Sequence, residues 1–208
     1  LSSALRDSVQ ARSKALGVTP SAIYLSAYLA LLARCTTQSR VAVAVPMDGR
    51  PSVQYEDVIG YFVKVLPLVF SIDEKETTSA LIERVHRQVM GALRHGSCSL
   101  FKLARELGVA STPGVGFYFQ SWSQDLLPRE DGPLEAPLLT ISQQGELELI
   151  LEVLELSDEV FLRWKFNPDV LPREAVEQLS ESYPCVLEQM VALLEPPIAE
   201  LRLLSKTQ

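Results

Sequence analysis

The sequence predicts an α+β fold, with helices packed against a largely antiparallel or mixed sheet. Three observations carry this. Two runs of alternating apolar and polar residues, 147–153 and 160–166, flank a short polar turn. Residues 20–34 are apolar on nearly all sides, which marks a helix covered on most faces. Strand-like and helix-like segments follow one another without strict β-α-β alternation. The 208 residues are enough for one sizeable core, and no internal repeat or low-complexity tract divides them.

Along the chain, residues 3–16 carry a sparse stripe of Leu5, Val9, Arg12 and Leu16 and read as a mostly solvated helix. Thr19 is a good N-cap and Pro20 suits the first helical position, so a second helix starts there and runs through the core. Val41, Val43 and Val45 set among small residues predict a buried strand. Asp48-Gly49-Arg50-Pro51 breaks it. Residues 58–72 are strand-like again, and Pro67 within them argues for a bulge, an edge position or a crossover. Thr77 or Thr78 can cap a helix over 79–94, with Leu81, Ile82, Val85, Val89 and Leu93 on one face and Gly96 as its stop. A short helix is expected at 99–107. Residues 114–122 read as a buried strand and 123–137 as a loop punctuated by prolines. The two alternating runs make a hairpin with one buried face. A last helix over 172–194 opens at Pro172 and should kink at Pro184. Pro196-Pro197 ends it, leaving the short apolar tail 198–204.

Composition removes several classes of function. Lys plus Arg is 19 against 26 Asp plus Glu, a net charge of −7 without the basic stripe of a nucleic-acid binder. The longest apolar run, 22–33, contains two tyrosines and a serine and falls short of a membrane span; the polar first residues are not those of a signal peptide. Cys35, Cys98 and Cys185 are odd in number and far apart, which suits a reducing cytoplasm better than a disulfide framework. His86 and His95 are the only histidines, and no CxxC, HxH or HExxH spacing offers a zinc site. The glycine-rich phosphate cradles GxGxxG and GxxxxGK[ST] do not occur.

The residues that could carry chemistry mostly have a plainer role. His86 borders the apolar face of its helix and reads as a half-buried structural histidine. His95 sits at a helix end, where an imidazolium complements the dipole. Ser97, Cys98 and Ser99 lie beside it, but neighbours in sequence are not a triad. Asp48-Gly49-Arg50 could bind an anion, but such a triplet is more often a turn with a solvated ion pair. Lys64 is more informative, because it interrupts the otherwise apolar stretch 59–70. It must snorkel, pair or face a cavity, as an edge-strand charge or as part of a tunnel wall.

The order of segments resembles the C-terminal lobe of the condensation domain of nonribosomal peptide synthetases, in the chloramphenicol acetyltransferase-like superfamily. GVTPSAIYLSAYLALLAR (17–34) resembles the family's "gvT…llaa.alLLar" helix, and VAVAVPMDGRP (41–51) its "vvGtPvagR" strand and turn. IGYFVKVLPLVF (59–70) is similar to the most specific signature, "IGxFVNTLPLR". HGSCSLFKL (95–103) stands where the family has "HQDxPFExL", and STPGVGFYFQSW (111–122) resembles "SRSPLFQVMFNLQ". GELELILEV, WKFNPDVLPREAVEQLSESY and LRLLS resemble the closing motifs. The departures are specific. Lys64 replaces an asparagine, and Ser97, Ser99 and Leu100 replace the Asp, Pro and Phe after His95.

The resemblance implies a single lobe over 1–208, one of two similar halves that enclose a catalytic histidine. The family's HHxxxDG string belongs to the N-terminal lobe and is not in this sequence, so no catalytic residue is expected here. The expected role is one wall of a substrate tunnel and a docking surface for carrier proteins. Tyr61, Lys64, Gln120 and Ser121 are the expected tunnel-facing groups, while Phe119 and Trp122 serve equally well as core. The implied partners are the N-terminal lobe, a peptidyl or acyl carrier protein and adjacent synthetase modules, with neither nucleic acid nor membrane. Substrates would arrive on phosphopantetheine arms, with no cofactor bound directly. The chain is expected to be cytoplasmic, a piece of a longer synthetase and inert alone. The competing expectation is a degenerate, non-catalytic docking module. A hydrolase built on His95 with Cys98 or Ser97 is the least favoured.

Overall fold

A computed structural model describes residues 1–50, 52–95, 106, 108, 113–122, 147–156, 159–192 and 195–204. Among the described residues, α1 (Ser3–Leu16), α2 (Pro20–Thr36), α3 (Thr78–Arg94) and α4 (Arg173–Val191) accompany a five-stranded sheet. The strands are β1 (Arg40–Met47), β2 (Lys64–Ser71), β3 (Val115–Trp122), β4 (Leu149–Leu156) and β5 (Glu159–Phe166). They lie in the order β2-β1-β3-β4-β5. The outer pairs β1/β2 and β4/β5 are antiparallel, and the inner pairs β1/β3 and β3/β4 are parallel, so the sheet is mixed.

Local chemistry sets the helix ends. The Ser2 hydroxyl accepts from the Leu5 N–H, and Gly17, at φ 64°, closes α1. Thr19 caps α2 through the Ala22 N–H with Pro20 behind it. Every residue from Ala22 to Ala33 is buried, so α2 is the axle of the core. Each Leu or Ile hidden there is worth about 1.5–3 kcal/mol. Thr77, not Thr78, caps α3; Thr78 is buried.

The sheet lays one face on this helical layer. Tyr24 stacks on Phe119 with ring centroids 5.9 Å apart, and Tyr28 sits between Phe117 and Trp164 at 6.2 and 5.9 Å. Trp164 meets Tyr183 of α4 edge-on at 6.0 Å, and the Tyr183 hydroxyl donates to the Tyr24 carbonyl at 3.0 Å. The tail docks on the start of α3, where the Ile198 N–H bonds to the Glu76 carbonyl at 3.0 Å and Ile198 is buried.

Several expectations need correction. The strand expected from residue 58 begins only at Lys64, because Arg50 holds the preceding residues in a separate loop. Of the three readings of Pro67, the edge position holds: it pairs with Ala44 in an unbroken register, on an edge strand whose outer side has no ladder to lose. The hairpin β4/β5 is not half-solvated. Ile150, Glu152 and Leu154 are buried as well as Leu149, Leu151 and Val153, because β4 lies between two full-length neighbours. Pro172 is the cap before α4 rather than its first residue, since its ψ of 146° is extended. Helix α4 runs from Arg173 to Val191 with Pro184 inside it. Gly96, the helix expected at 99–107, the loop 123–137 and Ser97, Cys98 and Ser99 lie outside the described residues, apart from Glu106, which is helical.

Candidate functional site

Strands β1, β3 and β4 run in the same direction, so their last residues, Met47, Trp122 and Leu156, share one end of the sheet. In parallel arrangements this is the end where ligands usually bind. The sheet is divided there. Pairing of β1 with β3 is confined to Val43↔Val115 and Ala44↔Gly116, whereas β1/β2, β3/β4 and β4/β5 each pair over their whole length. Past Ala44 and Gly116 the two leaves part. Pro46 sits just beyond the junction and has no N–H to extend it. Gly116 allows the close packing at the junction itself. A Cβ there would lie 2.8 Å from Leu147 Cδ1 and 3.3 Å from the Tyr118 ring.

One leaf carries an apolar arm, residues 53–63, which leads into β2. Arg50 builds it. Its Nε donates to the Tyr55 carbonyl at 2.9 Å and its Nη2 to the Val58 carbonyl at 3.3 Å. Its Nη1 lies 3.4 Å from Asp48 Oδ1, and the guanidinium covers the Phe62 ring at 4.6 Å. Tyr55 meets the same ring edge-on at 6.0 Å. A Cβ on Gly49 would collide with the Phe62 carbonyl oxygen, so glycine is needed for the arm to return this closely. The clamp leaves Ile59 fully exposed, at 100%, and Tyr61 88% exposed. Asp48-Gly49-Arg50 is therefore more than a turn with a solvated ion pair.

The other leaf carries a polar patch on the face away from the helices. Glu152 is buried there, 3.1 Å from Arg163 Nη1 and 3.3 Å from Lys165 Nζ. Tyr118 stands opposite Glu152 in register. Burial, the Glu152 charge and nearby Tyr61 push the Tyr118 phenol above its ordinary value.

The four expected tunnel residues are placed as follows. Lys64 is the exposed first residue of β2, opposite Met47, with its stem running over Gly49. Gln120 and Ser121 are exposed near the end of β3, on opposite faces of the strand. Three of the four therefore share the parted end of the sheet, and Tyr61 stands exposed on the arm that leads into it. Among the described residues no hydrogen bond or ion pair links the four to one another. Tyr118 and Glu152 escaped sequence reasoning, as did the hold of Arg50 on the arm. The alternation of Glu148, Ile150 and Glu152 marks a solvated face, and only the apolar Ile150 and Leu154 hint otherwise.

The histidines take structural positions. His86 Nδ1 accepts from the Thr19 N–H at 3.5 Å, and His95 is the exposed C-cap of α3. Among the described residues no group of three His, Cys, Asp or Glu side chains could hold a metal. No single helix among them is long and apolar enough to cross a membrane.

This parted α+β sheet, backed by helices on one face, belongs to a known class. The family model described as "Condensation domain" matches residues 1–208, and the chain belongs to that family. It is 29% identical to the polyketide synthase PksN of Bacillus subtilis (strain 168), over 90% of this chain and 4% of that protein. Its fold is similar to that of the first condensation domain of the CDA synthetase, with a TM-score of 0.78 at 20% identity. That match covers 99% of this chain and 47% of the other. The X-domain in complex with OxyB from teicoplanin biosynthesis is similar too, with a TM-score of 0.82 at 19% identity, over 99% of this chain and 47% of that one. The chain thus spans about half the length of these solved domains and a small share of PksN. Its fold is the α+β, chloramphenicol acetyltransferase-like one that the sequence predicted.

Proposed function

We propose that this chain is the C-terminal lobe of a condensation domain and forms one wall of its substrate tunnel. The parted end of the sheet is that wall, with Tyr61, Lys64, Gln120 and Ser121 around the mouth of the channel, Gln120 and Ser121 from the two faces of β3. The observation that carries the reading is the apolar arm: Ile59 and Tyr61 stand exposed on a segment that Arg50 holds at three points, the Tyr55 and Val58 carbonyls and the Phe62 ring. A rigid apolar surface of this kind is reserved for another surface. Here that surface is the lobe that bears the histidine motif. In the joined domain, the amine or hydroxyl of a carrier-bound acceptor attacks the thioester carbonyl of a carrier-bound donor. A C–N or C–O bond forms, the C–S bond breaks, and the thiol returns to the donor's phosphopantetheine arm. The partner lobe's histidine handles the proton, and this lobe supplies position. On this reading the chain alone is inert, and the whole polypeptide works in the cytoplasm beside its carrier proteins and adjacent modules.

The test is single-turnover acyl transfer between carrier proteins by the full polypeptide that contains this chain. Lys64→Ala and Gln120→Ala should lower the rate about ten- to a hundredfold while the fold is kept. Unchanged transfer in both, and in Tyr61→Phe and Ser121→Ala, contradicts the tunnel wall.

A second reading has its own support. Lys64 puts a charge where the resembling family signature has an asparagine, and the X-domain match is to a protein solved in complex with OxyB. On that reading the chain is a non-catalytic docking module for a carrier or tailoring enzyme. A full polypeptide that binds holo-carrier but transfers nothing, even with an intact upstream lobe, supports it over the first.

A further inference from the structure

Lys64, the exposed first residue of β2, has an apolar setting. Ile59, Tyr61 and Val63 precede it and Val65 follows, all of them exposed. On its own face of the strand it continues the row of Leu66, Leu68 and Phe70, the last two buried in the core. Its stem has a fixed bed. A Cβ on Gly49 would lie 2.8 Å from Lys64 Cγ and 3.1 Å from Lys64 Cδ, so the stem fills the space that glycine leaves. Among the described residues no carboxylate lies within 4.0 Å of the ammonium. Asp48 follows Met47, the ladder partner of Lys64, but is engaged elsewhere: its Oδ1 accepts from the Arg50 N–H at 3.0 Å and lies 3.4 Å from Arg50 Nη1. Other cations also lack a carboxylate, in different settings. Lys14 and Arg34 stand in the last turns of α1 and α2, where the carbonyl ends of the helices favour them. Arg40 and Lys75 line a groove together with Asp73 and Glu76. Arg87 and Arg94 belong to α3, and Arg202 to the tail. Of these cations only Lys64 is on a strand at the parted end of the sheet, bedded at the root of the apolar arm.

Covering the arm changes what this charge costs. Water solvates the ammonium while the arm is bare. Once a second lobe lies over the arm, an ammonium without an opposite charge is strongly unfavourable, so an anion has to meet it. The arm offers the lobe apolar side chains, whereas the ends of the strands are where ligands come in. We infer that Lys64 pairs with a carboxylate of the acyl substrate, so that the joined domain favours an acidic carrier-bound acyl group over its neutral counterpart. This rests on the proposed function and names the substrate class that it leaves open. A lysine suits the task as a compact charge on a long stem, and the bed over Gly49 limits where that charge can point.

The test is single-turnover transfer by the full polypeptide, with carrier domains loaded with aspartate or asparagine, and with glutamate or glutamine. Each pair differs in charge and hardly in size, and each is offered in the donor and in the acceptor position. The unaltered protein should favour the acidic member by about tenfold or more in one of the two positions. Lys64→Arg should keep that preference, Lys64→Met should abolish it, and Lys64→Glu should turn it toward the neutral member. Equal transfer of both members by the unaltered protein, or a preference that Lys64→Met leaves intact, overturns the inference while the tunnel wall stands. A Lys64→Glu defect that is equal for both members, and is repaired by exchanging an acidic residue of the second lobe for lysine, assigns the anion to that lobe and overturns it as well. No transfer of any acyl group by the unaltered polypeptide overturns the proposed function, and this inference with it.

Discussion

Helix α2 and the segment 53–69 are both rich in large apolar residues and have opposite fates. From Ala22 to Ala33 every residue of α2 is buried. In the segment, Val53, Tyr55, Val58, Ile59, Tyr61, Val63, Val65 and Val69 are all exposed. The difference is in what can cover them. Helix α2 is wrapped by its own chain, with the sheet on one side and α1, α3 and α4 around it. The segment is an arm and an edge strand, and the Arg50 clamp keeps it from folding back. Leaving Ile59 in water forgoes about 1.5–3 kcal/mol of burial. An apolar sequence thus says that a surface is meant to be covered, without saying by which molecule.

The largest effect should come from the covered region. Leu29→Ala opens a cavity beside fully buried neighbours and should lower unfolding stability by about 2–5 kcal/mol in a urea titration. A loss below 1 kcal/mol would mean the α2 core is loosely packed. Next is Glu152→Gln, which leaves Arg163 and Lys165 without their shared carboxylate. Both cations keep some solvent, so the expected loss is about 1–3 kcal/mol. Arg50→Ala should cost about 1 kcal/mol or less in global stability, since the arm adds little to the core. Its visible effect should be rapid proteolysis within 53–63, which sharpens the contrast between a clamped arm and a packed helix.

The smallest effect follows pH. Hydrogen bonds from the Ser79 hydroxyl and the Arg12 guanidinium, at 2.7 and 2.9 Å, hold the Glu195 carboxyl below the ordinary carboxylate range. The unfolded chain therefore takes up this proton first as pH falls. The stabilisation is complete above the ordinary value of about 4.5 and is lost as pH drops through the folded one. Glu195 is well exposed, so the effect is screened and small. The difference in urea midpoint between wild type and Glu195→Gln should shrink from pH 6 to pH 3.

Local signals made much of the fold legible. Thr19-Pro20 announced α2, and the alternation at 147–153 and 160–166 announced the β4/β5 hairpin. Capping and period-two patterning act over a few residues and need no tertiary knowledge. What stayed hidden was non-local. That β1 meets β3 over two residues depends on a pairing across some 70 positions, and no local pattern encodes where it stops. Glu152 looked solvated because its cationic partners come from the next strand. Arg50 looked like half of an ion pair because the carbonyls it binds, Tyr55 and Val58, are backbone groups without a side-chain signature. Of the site, Lys64 stood out in the sequence as a charge in an apolar run, but its place at the first position of an edge strand came only from the register.

The central claim, that the 53–63 arm is a preformed contact surface for a second lobe, is tested most directly by hydrogen–deuterium exchange at the amides of residues 58–63. The comparison is between this 208-residue chain alone and the full polypeptide that contains it. The account predicts fast exchange in the isolated chain and at least tenfold slower exchange in the full polypeptide, with α2 equally protected in both. Equally fast exchange of the arm in both would contradict it.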